Sequence, residues 1–187
     1  MPKTVVVIVG MPGSGKSEVS ELYRSQGIPM FRTGDVIREE VVRRGLPLTP
    51  ENSEKMARQM RDELGMDMAA RITMDKVLKL RERLVCVEGP RDMSELAYIS
   101  RLSRMILLVL KSDSDIRFRH LKGRGGSRDP KTLKEFNWRD GKEKERGISD
   151  VIKTRKYPRY EIENNGTLDE LRRKALEVLD EIRSGAK

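Results

Sequence analysis

The chain alternates between short runs of consecutive apolar residues and longer amphipathic stretches. Thr4 to Val9 (TVVVIV) is a continuous β-branched run, the pattern of a strand buried on both faces of a parallel sheet. A Gly/Pro loop follows it. Val19, Leu22 and Tyr23 then recur at the i, i+3, i+4 spacing of a helix face. Ile28 to Phe31 is a second strand candidate, and Asp35 to Arg44 reads as helix. Thr49 before Pro50 is a cap followed by proline at the first helical position, and Met56, Met60 and Leu64 then share one face. Leu84–Val87 (LVCV) and Met105–Leu110 (MILLVL) read as buried strands, and Tyr160–Ile162 as a short last one. Thr167 and Glu170 form a capping box ahead of a stripe of Leu168, Leu171, Ala175, Leu179 and Ile182. Strands alternating with helices predict an α/β fold, a five-stranded parallel sheet flanked by helices. The stretch 111–160 reads as the least regular, an insertion on that core.

Composition refines this picture in three places. The 187 residues suit a single domain with a substantial core. The single cysteine, Cys86, excludes a disulfide framework or a multi-cysteine zinc site, and its place in LVCV suits a core position. No apolar stretch approaches ~18 residues and the N-terminus lacks a leader pattern, so a soluble cytoplasmic protein without membrane contact is expected. The net charge of +9 is unevenly spread. Residues 111–160 hold 16 of the 39 basic and 8 of the 30 acidic residues, leaving a nearly neutral body of 23 and 22.

Candidate chemistry starts where the first strand ends. Gly10-Met11-Pro12-Gly13-Ser14-Gly15-Lys16-Ser17 matches G-x-x-x-x-G-K-[ST] between a predicted strand and a predicted helix. Glycines there let backbone N–H groups turn around phosphate oxygens, and the helix aims its positive end at them. Lys16 would reach the β/γ-phosphates, and the Ser17 hydroxyl would ligate Mg²⁺, making this a nucleoside triphosphate site that by itself suits a GTPase, an ATPase, a kinase or a motor. Two further segments suit a second anion. Thr33-Gly34-Asp35-Val36-Ile37-Arg38 puts Arg38 near a helix start, against the dipole, which makes sense if it clamps an anion. Glu88-Gly89-Pro90-Arg91 lies at the carboxyl end of a strand, where Glu88 would organise Mg²⁺ and Arg91 would fork a phosphate. The plainer alternative pairs Arg38 and Arg91 with Glu39 and Asp92 as surface charges.

These three segments together resemble the nucleoside monophosphate kinases, adenylate kinase above all. Gly10–Ser17 is similar to the family's phosphate loop, Thr33–Arg38 to its T-G-D-x-x-R segment, and Glu88–Arg91 to its D-G-F-P-R segment. Nearly the whole chain is similar to archaeal proteins described as related to adenylate kinase or dephospho-CoA kinase, through Gly34–Arg38, Arg128–Thr132 and Asn164–Leu171. The resemblance implies a P-loop kinase with core segments 1–32, 81–111 and 151–187, an acceptor-binding region 33–80 and a lid 112–150. It implies MgATP as donor and a small phosphorylated acceptor, most simply a nucleoside monophosphate, held by Thr33, Gly34, Asp35, Arg38, Gly89 and Arg91. Arg117 and Gly166 would touch ATP, and Arg124, Arg128 and Arg139 would act with Lys16 on the transferring group. The chain departs from the pattern at Glu88, where the family has Asp, and by one residue missing between Gly89 and Pro90. Glu95 stands near the expected adenine-reading glutamine, which leaves the acceptor base open.

Two other functions compete. A dephospho-CoA kinase-like enzyme would phosphorylate a hydroxyl and need a base, for which Asp35 is the placed candidate. A nucleic-acid-associated ATPase would use the basic insertion on a polymer, although Phe118, Phe136, Trp138, Tyr157 and Tyr160 are spaced more as packing residues than as a stacking platform. His120, Asp113 and Asp115 read as surface or turn residues, Met66 and Met68 as helix faces, and Lys142–Arg146 (KEKER) as a solvated face.

Overall fold

β1 (Thr4–Val9) is the central strand, and its alternate residues define the two layers of the protein. The computed structural model describes residues 2–126 and 129–185. β2 (Met30–Arg32), β3 (Leu84–Glu88), β4 (Arg104–Lys111) and β5 (Arg159–Glu163) join β1 in one sheet of order β2-β3-β1-β4-β5. Every pairing is parallel. Val5, Val7 and Val9 face one layer, made by α4 (Met68–Leu78), α5 (Met93–Leu102) and α8 (Ile148–Lys153) through Met74, Leu96 and Val151. Val6 and Ile8 face the other, made by α1 (Lys16–Ser25) and α9 (Leu168–Ser184) through Tyr23, Leu171 and Leu179. Covering both faces is what the unbroken β-branched run requires, since neither side of β1 carries a group that water could solvate.

β1 lies between β3 and β4, so the chain leaves its carboxyl end where crossovers depart to opposite sides. Ligands of open α/β sheets settle at this place. α2 (Thr33–Arg43) and α3 (Pro50–Leu64) with α4 form a third apolar cluster around Val41, Met56, Met60 and Met68. Thr49 caps α3 with Pro50 at its first position, as its sequence predicts. The capping box of α9 also forms, with both reciprocal bonds between Thr167 and Glu170.

Some expectations change. The second strand is Met30–Arg32, displaced two residues along the chain from Ile28, which packs beneath it. Leu64, Met66 and Leu168 are exposed, Leu64 and Leu168 each at a terminal position of its helix. Among its described residues, the stretch read as irregular holds three helices: α6 (Ser114–Arg124), α7 (Leu133–Glu145) and α8. Its weak periodicity arises because α6 and α7 bury charged residues, Arg117, Asp140 and Glu143, instead of a continuous apolar stripe. Glu143 also breaks the solvated-face reading of 142–146, being buried between two arginines. Cys86 lies in the core as expected. No described helix is long and apolar enough to cross a membrane.

Candidate active site

The loop 10–15 joins β1 to α1 and is held from three directions. Gly13 and Gly15 adopt left-handed φ values of 81° and 98°. A Cβ on Gly13 would stand 2.6 Å from the Arg117 carbonyl oxygen, and one on Gly15 would stand 2.6 Å from Asn164 Nδ2. Glycine is therefore needed both for conformation and for close approach. Asn164 Nδ2 donates to the Ser14 carbonyl at 3.1 Å, so the end of β5 props the loop. Arg117 Nη1 donates to the Pro12 carbonyl at 3.0 Å, and His120 Nδ1 lies 3.0 Å from the Gly13 carbonyl oxygen. Lys16 Nζ donates to the carbonyls of Gly10 and Met11 at 2.8 and 3.0 Å. Burial lowers its ammonium to about 8, against the opposing field of Glu88.

Beside this loop a cavity of about 680 Å³ opens between the starts of α2 and α3, the end of β3 and the face of α7. Thr33, Gly34, Arg38, Glu88, Gly89 and Arg91 line it, together with Arg139 from α7. Two motifs separated by some fifty residues thus meet, because β2 and β3 are neighbours in register and Arg32 pairs with Glu88. Asp35 does not line the cavity. It is paired with Arg38, whose Nε donates to Oδ1 at 3.0 Å. Arg91 Nε stands 3.1 Å from Glu143 Oε2, so both arginines carry carboxylates, though not the Glu39 and Asp92 of the plainer alternative. Arg146 holds the other Glu143 oxygen at 3.0 Å and reaches Glu54 of α3 at 3.4 Å, tying the end of α7 to α3.

Glu88 receives the Ser20 hydroxyl at 2.9 Å and Arg32 Nε at 3.0 Å, both on Oε2. Ser17 is exposed at the start of α1. Arg124 forks the buried carboxylate of Asp129, with Nε at 2.7 Å, and Arg139 Nη1 lies 3.9 Å from that same group. Arg128 lies outside the described residues. Arg117 does not line the cavity. It is buried against Asp140 with bonds of 2.7 and 2.5 Å and stacks over Phe136 at 5.0 Å. Gly166 sits in the turn ahead of α9, two residues beyond the loop-propping Asn164.

Three residues enter the site unannounced by any local pattern. Asp140 and Glu143 sit in a run that reads as surface charge, and Arg61 of α3 lies on a polar helix. Partners from other segments reveal Asp140 and Glu143, and the cavity wall reveals Arg61. Asn164 carried a faint signal, lying between a strand and a capped turn.

Comparisons with known proteins agree with this architecture. The family described as AAA domain matches residues 9–137. UPF0200 protein PH1008 of Pyrococcus horikoshii is 40% identical over 185 residues, covering 96% of this chain and 98% of the relative. A UPF0200 protein of Hyperthermus butylicus is 34% identical, covering 96% of this chain and 95% of its own. Among solved structures, TT1252 from Thermus thermophilus superposes with a TM-score of 0.61 at 24% identity, covering 97% of this chain and 98% of that one. A gluconokinase from Sinorhizobium meliloti and a shikimate kinase from Acinetobacter baumannii each reach 0.56, at 18% and 15% identity. They cover 99% of this chain each, and 95% and 94% of their own. The fold is that of a P-loop kinase.

Proposed function

Because this chain belongs to the UPF0200 family and, over residues 9–137, to the AAA-domain family, we propose that it transfers the terminal phosphoryl group of ATP to a small phosphorylated acceptor, a nucleoside monophosphate. The observation that supports this reading is that a phosphate-loop motif and a cavity lined by Arg38 and Arg91 lie at the same end of the sheet. The phosphate loop with Lys16 lies on one side, and the cavity with Arg38 and Arg91 lies on the other.

In this reading Lys16 leaves its own loop carbonyls for the phosphates of ATP. Arg38 and Arg91 exchange Asp35 and Glu143 for the acceptor phosphate. An oxygen of that phosphate attacks the γ-phosphorus, and ADP departs with the bridging oxygen. Arg124 and Arg139, with Arg128, neutralise the charge that develops, while Arg117 acts by holding the loop. Ser17 and Glu88 fit a Mg²⁺ ion bound largely by nucleotide oxygens. Glu88 has both its protein contacts on one oxygen, and no cluster of three metal-ligating side chains exists among the described residues. The ion would spread the phosphate charge. Asp35, the base a hydroxyl acceptor would use, is absent from the cavity wall, which favours an acceptor phosphate that needs no base.

The test is ADP formation with a panel of nucleoside monophosphates, dephospho-CoA and RNA, using Lys16→Ala as control. Acceptor-dependent ADP formation that falls by about 10²-fold or more in Lys16→Ala is expected. Turnover stimulated by RNA alone would overturn the reading.

A further inference from the structure

The acceptor cavity holds one buried acid whose bonding is incomplete. Glu95, in the first turn of α5, is only 4% exposed yet contributes to the cavity wall. Its Oε1 accepts the Arg91 backbone N–H at 3.2 Å, and its Oε2 has no hydrogen-bond partner. The charged groups whose fields reach it are Arg61 from α3, and Arg91 and Asp92 from the turn before α5. Arg61 lines the cavity too. In its ionised form, which prevails above about pH 7, the Glu95 carboxylate accepts hydrogen bonds and donates none, so its empty oxygen is then complementary to a ligand that brings N–H groups. Trp138 of α7, 65% exposed, lines the same cavity and offers a flat apolar face to a ring.

Resting on the reading of this cavity as the acceptor site, we propose that Glu95 selects the acceptor by taking hydrogen bonds from a heterocycle edge made of N–H donors. The guanine edge, with adjacent imino and amino N–H groups, has this character. Its neighbouring ring carbonyl needs a donor, which Arg61 supplies. The adenine edge places a lone pair beside its amino group and would turn that lone pair toward the carboxylate. The acceptor is thus a guanine-type nucleoside monophosphate with its phosphate at Arg38 and Arg91.

Titration calorimetry and ADP formation at about pH 8.5, where Glu95 is ionised, with GMP, AMP, CMP and UMP, on the wild type and on Glu95→Gln, test this. Quenching of Trp138, the chain's only tryptophan, reports binding at the cavity itself. The wild type is expected to favour GMP over AMP by on the order of 10²-fold in Kd and in kcat/KM, because a wrong edge leaves buried polar groups unpaired. Glu95→Gln, whose amide both donates and accepts, should narrow that ratio at least tenfold and raise AMP binding. The wild-type ratio needs no variant to fold: AMP bound as well as GMP overturns the proposal, as does an unchanged ratio in a folded Glu95→Gln. GMP selection without ADP formation would uphold Glu95's role and overturn phosphoryl transfer. ADP formation with AMP and not GMP would do the reverse.

Discussion

Replacing Asp140 with alanine should unfold the protein more readily and loosen its grip on ATP, for one reason. The Arg117–Asp140 pair is nearly dry, with side chains 7% and 10% exposed, so the small value of surface ion pairs does not apply. Removing Asp140 leaves the Arg117 guanidinium buried with the Pro12 carbonyl and the Phe136 ring as its remaining partners. Breaking one side of a buried pair costs about 3–5 kcal/mol. At about 2–4 °C per kcal/mol for a chain of this size, Tm should fall by roughly 6–20 °C. The same guanidinium holds the phosphate loop, and the backbone of Arg117 lies against Gly13, so Kd for ATP should rise along with the instability. Thermal unfolding and ATP titration of Asp140→Ala measure both effects. The double variant Arg117→Met with Asp140→Leu separates them. Filling the space with apolar groups should restore most of the stability, since a buried pair often has little net worth. It cannot restore the bond to Pro12, so ATP binding should stay weak. An Asp140→Ala protein within about 1 kcal/mol of wild type, or a double variant that binds ATP normally, would refute the reasoning.

Other outcomes follow from the same geometry. Burial raises the Glu95 carboxyl to about 7 from an ordinary 4.5. The folded protein therefore favours the protonated form, and this stabilisation is complete below about pH 4.5 and lost as pH rises to about 7. Glu95→Gln should remove a pH-dependent loss on the order of 3 kcal/mol, seen as a flatter Tm profile between pH 4.5 and 8; parallel profiles would count against it. Gly13→Ala should cost about 1–2 kcal/mol for its left-handed backbone, plus the clash with the Arg117 carbonyl, and impair ATP binding in calorimetry. Asn164→Ala leaves the buried Ser14 carbonyl without that donor and should lower stability to urea by about 1–3 kcal/mol, with weaker ATP binding.

The sequence alone determined what local patterns encode. A short unbroken β-branched run favours a strand covered on both faces, and Gly10–Ser17 spells out a phosphate loop because its glycines serve left-handed backbone that other residues rarely adopt. The Thr33–Arg38 and Glu88–Arg91 segments were also legible, since each sits at a recognisable junction of elements. The tertiary structure decided who holds whom. Arg117 reads as one more lid cation until α7 brings Asp140 against it, and the run around Glu143 reads as solvated until Arg91 and Arg146 enclose that carboxylate. A charged residue favours solvent unless it is paired, and its neighbours in sequence do not disclose a partner that lies elsewhere in the chain. Its environment is set by partners tens of residues away, so the basic insertion became a framework of paired arginines around a cavity only once the chain had folded.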